Sequence, residues 1–452
     1  MGWFGFDSGR ERQRRRMRFV RIPLLLLALG ASTSSVAAPS PIGRDSRPIE
    51  PVEIPPSVQQ GVDMIFVDPE MAPAVHKREG LLHEIGLKDE AGSATDLFLP
   101  VNPVYTQLRR GLVRYRTTWG ALPQTPIPAG PVLKPGATGE RVSLLRERLG
   151  LGTAGGYDNA LAAAVKRYQQ VHAIKADGIA GEGTIASLNR GAAYYERVLM
   201  LNLDRAKALP GTDEKGRYVL VDVGAARLFM IEGSDVRDSM KVIVGKAASA
   251  TPMMAAQIRY ASVNPYWNVP ADLAQTLVAP KVLSEGLGHI AAERYEILSD
   301  WTDDARQVDP ASVDWQAVAE RKTELRIRQL PGRGNSMGMI KFMLPNDFGI
   351  YLHDTNDKSL FQQQDRWLSN GCVRVEDAKR LANWLFGAMP TGKDPAVEED
   401  VPLERPVPVY ITYLTAEGGP DGVQFRADPY ARDAALLNRY AVADESTPRS
   451  GG

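Results

Sequence analysis

The chain has 452 residues, of which 54 are basic, 54 are acidic and 44% are hydrophobic. This length supports two or three domains with sizeable cores, and the balanced charge does not indicate binding to nucleic acid or another polyanion. The chain contains one cysteine, Cys372, so an internal disulfide is excluded.

The N-terminus predicts export from the cytoplasm. Residues 10–21 are strongly basic, residues 22–31 form an apolar run, and residues 35–37 (Ser-Val-Ala) form a small-x-small cleavage site. We therefore expect residues 1–37 to be a signal peptide, with Met17 as an alternative initiator because a complete signal already begins there. The other interpretation is an uncleaved membrane anchor, but the apolar run is well short of the roughly 20 residues that span a bilayer.

The next segments are distinguished by composition. Residues 38–61 are rich in proline and charge, which predicts a flexible tether. Residues 62–130 are predicted to be a scaffold region that is helical in places, since Val104, Leu108 and Leu112 fall on one helical face. Its last residues, from Pro123 onward, have the composition of a linker.

Residues 131–190 predict a small helical module with three apolar stripes. A glycine-rich loop at residues 177–184 lacks the Gly-Lys-Ser/Thr ending with which a P-loop holds phosphate. The pattern from Tyr157 to Gln169, followed by Asp177-Gly178-Ile179-x-Gly181, resembles a peptidoglycan-binding domain of the small three-helix type. A plain helical hairpin is the alternative, because such stripes are common in helical cores.

Residues 191–215 are predicted to be a linker helix that returns to the scaffold, and residues 216–415 a β-rich domain. Runs with a period of two occur at residues 218–223, 227–231, 240–244, 257–263, 340–344 and 349–352. A long insertion at about residues 271–330 interrupts them, and it is interpreted as a substrate-facing element or as a surface excursion. Residues 416–452 are assigned to a C-terminal tail. The fold class expected is therefore α+β and multidomain, with antiparallel or mixed sheets.

Cys372 follows His353 by nineteen residues, a pairing that indicates a thiol nucleophile and its base. The alternative is a small buried hydrophobic side chain. A single thiol in an exported protein favours a chemical role for Cys372, because structural cysteines in oxidising compartments come in pairs. Gly371 allows a tight turn, while the Arg374 cation and a helix expected near Glu376 would lower the thiol pKa. The other histidines, which lack ligand spacing, are interpreted as ordinary surface or core residues: His76, His83, His172 and His289.

His353 together with Ser369-x-Gly371-Cys372-x-Arg374 resembles the signature of the L,D-transpeptidases, which cross-link bacterial peptidoglycan through a cysteine. Motifs within residues 244–252, 264–270, 331–342 and 353–355 are similar to the long Gram-negative branch of that family. In that branch a wall-binding module precedes the catalytic domain and a capping insertion lies over the site. One departure is Asn370, which stands where the family commonly has histidine.

The resemblance implies a periplasmic enzyme that acts on peptidoglycan without metal or organic cofactor and that meets the membrane only through an uncleaved signal. Cys372 would form a thioester with the third stem residue, and His353 would carry the proton. Backbone N–H groups at Gly371 and Cys372 would stabilise the oxyanion, and the carbonyl of Asp354 would orient His353. Substrate or loop positioning is assigned to Arg374, Asn370, Ser369, Tyr351 and Trp267.

Three functions are compatible with this interpretation. The first is a transpeptidase that forms 3-3 cross-links, and the second is an L,D-carboxypeptidase that transfers the same acyl group to water. The third is a non-catalytic wall-binding protein, against which the intact pair of Cys372 and His353 argues. The role of Arg374 stays open among lowering the thiol pKa, orienting the loop and binding a substrate carboxylate.

Overall fold

A computed structural model describes residues 65–66, 102–211, 216–302, 304–419 and 422–437. The predicted signal peptide and tether, residues 1–61, lie outside the described residues. Within the described ranges, no helix combines the length and the apolar character needed to cross a bilayer.

The α-helices of the described residues are α1 Pro103–Tyr115, α2 Glu140–Arg148, α3 Asn159–Val171, α4 Glu182–Arg190, α5 Ala192–Lys207, α6 Ala271–Leu273, α7 Ala279–Glu285, α8 Gly288–Ala292, α9 Trp315–Ala319 and α10 Ala378–Phe386. Two π-helical turns, Arg116–Gly120 and Ala274–Val278, follow α1 and α6. Short 3-10 turns are Ala247–Ser249, Pro310–Ser312 and Ser359–Gln362, and residues 432–437 are also helical.

The strands of the described residues are β1 Ile65–Phe66, β2 Arg217–Asp222, β3 Arg227–Glu232, β4 Asp235–Gly245, β5 Met254–Val263, β6 Trp267–Val269, β7 Tyr295–Leu298, β8 Arg326–Gln329, β9 Ile340–Met343, β10 Leu352–His353, β11 Trp367–Ser369, β12 Val373–Val375, β13 Glu399–Thr412, β14 Ala416–Gly419 and β15 Gly422–Phe425.

Eight of these described strands form a closed ring of hydrogen-bonded pairs, β5-β13-β2-β3-β4-β12-β10-β9-β5. The β13–β2 and β10–β12 pairs are parallel and the others are antiparallel, while β1 and β11 add to β5 and β4. Closure leaves the ring strands without free edges and encloses a core rich in Val, Ile, Leu and Met. The predicted α+β class, with a β-rich domain of mixed sheets, is confirmed.

The insertion between β5 and β9 has its own core and its own sheet, in the order β6-β8-β7. Because β6 pairs with β8, the inserted structure begins before residue 271, where the sequence placed it. Its two ends are joined, since the Asn264 N–H donates to the Met339 carbonyl over 3.1 Å. Tyr351, on the approach to β10, packs against the core of the insertion. The insertion therefore borders the strand that carries His353.

The scaffold is formed by α1 and α5 together with the β14–β15 hairpin and the helical residues 432–437. Its core combines Leu108, Leu112 and Leu199 with Phe425 and Leu436. The assignment of residues 416–452 to a tail is therefore wrong for their described part, residues 416–419 and 422–437. These segments are too short and too irregular to show a helical or strand period, and their apolar side chains are buried only against distant helices.

The module contains α2, α3 and α4, and the predicted apolar stripes are buried in one core. Asp158 caps α3, because its carboxylate accepts the Leu161 N–H over 2.8 Å. The glycine-rich loop is held from inside the module, where the Gln169 side chain accepts the Gly178 N–H over 2.8 Å. At the end of α3, His172 packs among Tyr115 and Phe425 of the scaffold.

Candidate active site

Three neighbouring strands bring the predicted catalytic residues together. In the parallel β10–β12 pair, His353 lies opposite Arg374, and in the antiparallel β10–β9 pair it lies opposite Lys341. The Val373 N–H donates to the Tyr351 carbonyl over 3.1 Å, which places the preceding residue, Cys372, beside Tyr351. Residues that are up to 33 positions apart in the sequence thus meet at one end of this sheet.

Residues 369–372, which we call the nucleophile turn, are held by side-chain hydroxyls. Gly371 adopts φ +122°, a backbone conformation that favours glycine. The Ser369 hydroxyl donates to the Cys372 carbonyl over 2.6 Å and accepts the Gly371 N–H over 3.2 Å. The Thr251 hydroxyl donates to the Gly371 carbonyl over 2.6 Å. The Gly371 N–H is already hydrogen-bonded to Ser369, whereas the Cys372 N–H has no partner among the described residues. The Cys372 N–H is therefore the better candidate for an oxyanion donor.

The Cys372 thiol is partly buried and lies 3.7 Å from the Gly349 carbonyl. Burial raises the pKa of this thiol, and its contacts with Tyr351 and the nearby Arg374 charge oppose the shift without reversing it. The helix predicted near Glu376 is present and begins at Ala378, with Asp377 as its N-cap. The expected depression of the thiol pKa is therefore wrong, because burial outweighs the neighbouring cations.

The His353 imidazole is buried and uncharged. Burial lowers its pKa to about 3, and the Arg374 cation acts in the same direction. The backbone of Asp354 acts in the opposite direction, as expected of an orienting carbonyl, but Nδ1 has no hydrogen-bond partner among the described residues. A neutral imidazole can accept a proton, which is the property that a general base requires.

Tyr351 and Arg374 place hydrogen-bond donors near the thiol. The Tyr351 side chain lies near the thiol, and its ring meets the His353 ring edge-on at 5.6 Å. Burial raises the pKa of Tyr351, with the Cys372 charge as the next cause, so the hydroxyl keeps its proton. No salt bridge joins Arg374 to a described residue, and its Nε atom is buried without a hydrogen-bond partner, while the Asp357 carboxylate is near enough to interact with its charge. A cation that is not paired in a salt bridge and lies near the Cys372 thiol can receive an anionic group of a ligand.

The remaining predicted site residues have different surroundings. The Asp354 carboxylate accepts the Met339 N–H over 3.0 Å and the Lys358 ammonium over 2.6 Å, so its side chain braces the end of the insertion. Asn370 is exposed on the nucleophile turn. Trp267 lies in the core of the insertion, with its ring 6.3 Å from that of Tyr295, and is not seen to contact the turn. No cluster of His, Cys, Asp and Glu suited to a metal ion occurs among the described residues.

Two family models match the chain. Residues 216–409 match the L,D-transpeptidase catalytic domain, and residues 139–188 match a family described as "Putative peptidoglycan binding domain". Residues 216–409 are thus similar to L,D-transpeptidase catalytic domains, and residues 139–188 are similar to peptidoglycan-binding domains. The resemblance read from the motifs is confirmed.

A curated relative from Haemophilus influenzae, named "Putative L,D-transpeptidase", is 32% identical over 225 residues. The match covers 48% of this chain and 44% of that protein, so the chain spans less than half the length of this relative. Among solved structures, an L,D-transpeptidase from Xylanimonas cellulosilytica is 15% identical, covers 63% of this chain and 98% of its own, and has a TM-score of 0.20. An L,D-transpeptidase from Mycobacterium smegmatis is 10% identical, with coverage of 43% and 58% and a TM-score of 0.23.

Proposed function

We propose that this protein is an exported peptidoglycan L,D-transpeptidase that forms 3-3 cross-links between stem peptides. The observation that carries the proposal is the register of the β10–β12 pair, which sets the buried, neutral His353 opposite Arg374, two residues after Cys372. The peptidoglycan-binding domain at residues 139–188 supports the choice of substrate. The predicted signal peptide supports a periplasmic location.

The reaction divides into two acyl transfers. Cys372 attacks the carbonyl carbon of the third residue of a tetrapeptide stem, and the thiol proton passes to His353. The C–N bond to the terminal D-amino acid breaks, its amine takes the proton from His353, and a thioester remains on Cys372. An amine of a neighbouring stem then attacks the thioester and gives its proton to His353, which returns it to the departing thiol. The new amide is the cross-link, and the enzyme is restored.

The raised pKa of Cys372 and the lowered pKa of His353 favour an uncharged thiol and imidazole in the resting enzyme. Proton transfer therefore accompanies attack on the carbonyl, and no stable thiolate precedes it. The negative charge then develops on the carbonyl oxygen of the substrate, where the Cys372 N–H and the Tyr351 hydroxyl are the available donors. Donors of this kind contribute about 3 to 4 kcal/mol each at other acyl-transfer sites.

Arg374 is assigned to the substrate carboxylate. Its guanidinium forms no salt bridge with a described residue, yet Arg374 lies opposite His353 and close enough to Cys372 to affect the thiol. A stem peptide carries a terminal carboxylate next to the bond that is broken, and arginine is well suited to bind it with two parallel hydrogen bonds.

The test uses a purified tetrapeptide donor and a separate stem-peptide acceptor, with the products separated by chromatography and identified by mass. A cross-linked dimer together with released D-amino acid is the expected result, and Cys372→Ser should produce neither. A tripeptide without dimer would replace the proposal by the L,D-carboxypeptidase function. Absence of any product, and of any thioester on Cys372, would leave only the wall-binding function.

A further inference from the structure

The C-terminal part of the described chain contacts the loop that supports the nucleophile turn. The Tyr430 hydroxyl donates to the Gly245 carbonyl over 2.6 Å and accepts the Thr251 N–H over 3.3 Å. Tyr430 lies outside residues 216–409, which match the catalytic domain, and outside the cysteine signature. A residue assigned from the sequence to a tail is therefore bonded to both ends of the loop at residues 245–251.

Thr251 connects this loop to the nucleophile turn. It is fully buried, and its hydroxyl accepts the Gly245 N–H over 2.9 Å while donating to the Gly371 carbonyl over 2.6 Å. The loop has little freedom to shift, because a Cβ atom on Gly245 would lie 2.1 Å from the Ser249 carbonyl oxygen. Tyr430, Thr251 and Gly371 thus form an unbroken series of hydrogen bonds.

The geometry of the peptide group carries the effect of this series to the reacting atoms. The Gly371 carbonyl and the Cys372 N–H belong to one planar peptide unit, in which they point in opposite directions. A hydrogen bond that fixes the carbonyl therefore also fixes the direction of the N–H. That N–H has no partner among the described residues and is the candidate oxyanion donor.

Tyr430 is itself held firmly. Its ring stacks on Tyr413 with the centroids 5.2 Å apart and the planes 7° from parallel, and the Arg432 guanidinium lies 5.1 Å from the Tyr430 ring centre. The Tyr430 N–H donates to the Tyr413 hydroxyl over 3.1 Å, and that hydroxyl donates to Asp428 over 2.5 Å. Burial raises the pKa of Tyr430 to about 12, so the hydroxyl remains a donor at neutral pH.

We propose that Tyr430 is a positioning residue of the acyl-transfer reaction, which acts through Thr251 to aim the Cys372 N–H at the oxyanion. The proposal rests on the function proposed above. It adds a requirement that the matched catalytic domain lacks: the C-terminal segment, residues 428–433, completes the site from outside residues 216–409.

The experiment compares two reactions of the same thiol in the full-length chain. A carbapenem acylates Cys372 through an oxyanion, whereas iodoacetamide alkylates it by displacing iodide and forms none. Tyr430→Phe should slow acylation about fivefold or more, since one aligned hydrogen bond contributes about 1 kcal/mol. Alkylation should keep its wild-type rate, because the thiol and His353 are untouched.

The matched control is Tyr157→Phe. Tyr157 also donates from a buried hydroxyl to a backbone carbonyl, that of Gly178, over 2.9 Å, but it does so within the peptidoglycan-binding module. This variant should acylate at the wild-type rate. Unchanged acylation in Tyr430→Phe, an equal slowing of its alkylation, or an equal slowing of acylation in Tyr157→Phe would each overturn the proposal.

Substitutions at Thr251 test the intermediate step and do not depend on how Tyr430→Phe folds. Thr251→Val removes the hydroxyl and should slow acylation at least as much, while Thr251→Ser keeps it and should recover most of the rate. Because the two residues act in series, the double variant Tyr430→Phe, Thr251→Val should be no slower than Thr251→Val alone. Additive losses would overturn the series. A wild-type protein that resists carbapenem acylation would instead contradict the proposed function.

Discussion

The charge states of Cys372 and His353, the two predicted catalytic residues, depend on burial. Sequence neighbours suggested a thiolate stabilised by Arg374 and a helix terminus, because both lower thiol pKa values. In the folded chain, desolvation raises the pKa of Cys372 and lowers that of His353, so the same two residues are uncharged. An uncharged pair and a thiolate predict different pH dependences of the reaction.

The nucleophile is tested first by Cys372→Ser. A hydroxyl beside a neutral imidazole is a much weaker nucleophile than a thiol, and the change in volume is small. We expect loss of the covalent carbapenem adduct in intact-protein mass spectra, with a melting temperature close to that of the wild type. A serine variant that still forms the adduct at a substantial rate would contradict the assignment of Cys372.

The pH profile of acylation tests His353. With a His353 pKa of about 3 and a raised thiol pKa, the neutral pair persists from about pH 5 to 8, and the wild-type rate should vary little over that range. His353→Ala should be slower at neutral pH and should accelerate as pH rises, since it must use free thiolate. His289→Ala, in the insertion, serves as the control and should match the wild type. A wild-type rate that climbs steeply from pH 5 to 8 would refute the neutral pair.

A comparison of two substrates distinguishes an Arg374 that binds the substrate carboxylate from an Arg374 that only supports the loop. Arg374→Gln should reduce kcat/KM for a stem peptide by at least about tenfold, because a charge-assisted hydrogen bond contributes about 1.5 to 3 kcal/mol. Arg374→Lys should retain part of that activity. The same comparison with a stem whose terminal carboxylate is amidated should show little difference among the three proteins. An equal loss with the amidated stem would assign Arg374 to the loop instead.

At the scale of elements, the strands were predictable and the connections between them were not. The period of two identified β2, β3 and β5 because each alternates or concentrates apolar residues against the ring core. The insertion was recognised by its length, but its boundary was misplaced because β6 has only three residues and is defined by pairing with β8.

Asn335 fastens the two ends of the insertion and provides a test at this scale. Its side-chain amide is buried and donates to the carbonyls of Pro265, Gln329 and Leu330 over 3.0, 3.2 and 2.9 Å. Asn335→Ala would leave buried carbonyls without donors, so we expect the free energy of unfolding to fall by about 1 to 3 kcal/mol. Hydrogen exchange should also accelerate within the insertion.

The control for this prediction is Asn356→Ala. The Asn356 amide also donates to a carbonyl, that of Gly334, over 2.7 Å, but the side chain is exposed. Water can replace that bond, so the free energy of unfolding should change by less than about 0.5 kcal/mol. Similar losses in the two variants would show that Asn335 has no special role at the ends of the insertion.

At the scale of the whole molecule, His172 of the peptidoglycan-binding module lies at the contact between the module and the scaffold. His172 stacks on Tyr168 with ring centres 3.8 Å apart and on Phe425 at 5.4 Å. Its Nε2 lies 2.9 Å from the Tyr115 hydroxyl, and its Nδ1 lies 2.7 Å from the Tyr168 carbonyl. The module and scaffold therefore share aromatic surface, and removal of the module would expose it.

This contact makes stability depend on pH. Burial lowers the pKa of His172 from 6.5 to about 3, so between these values the unfolded chain binds more protons than the folded one. The stabilisation of the folded chain by the neutral His172 is complete above about pH 6.5 and declines as pH falls toward 3. The urea midpoint of the wild type should therefore decrease from pH 7.5 to 5. His172→Phe should show a smaller decrease, and an unchanged decrease would show that His172 stays uncoupled from folding. Because His353 shifts in the same direction, the difference between the two proteins is the quantity that tests His172.

The sequence alone determined the family resemblance and the α+β class, because periodicity, composition and motif spacing are local properties that can be read without coordinates. The other domain boundaries and the catalytic roles stay predictions. Only the tertiary structure decided that Cys372 and His353 are both uncharged. It also decided that the Gly371 N–H donates to Ser369 and that Tyr430 is hydrogen-bonded to Thr251, which holds the nucleophile turn. Each of these follows from burial or from contacts between residues distant in the chain, and neither property has a signature in the local order of amino acids.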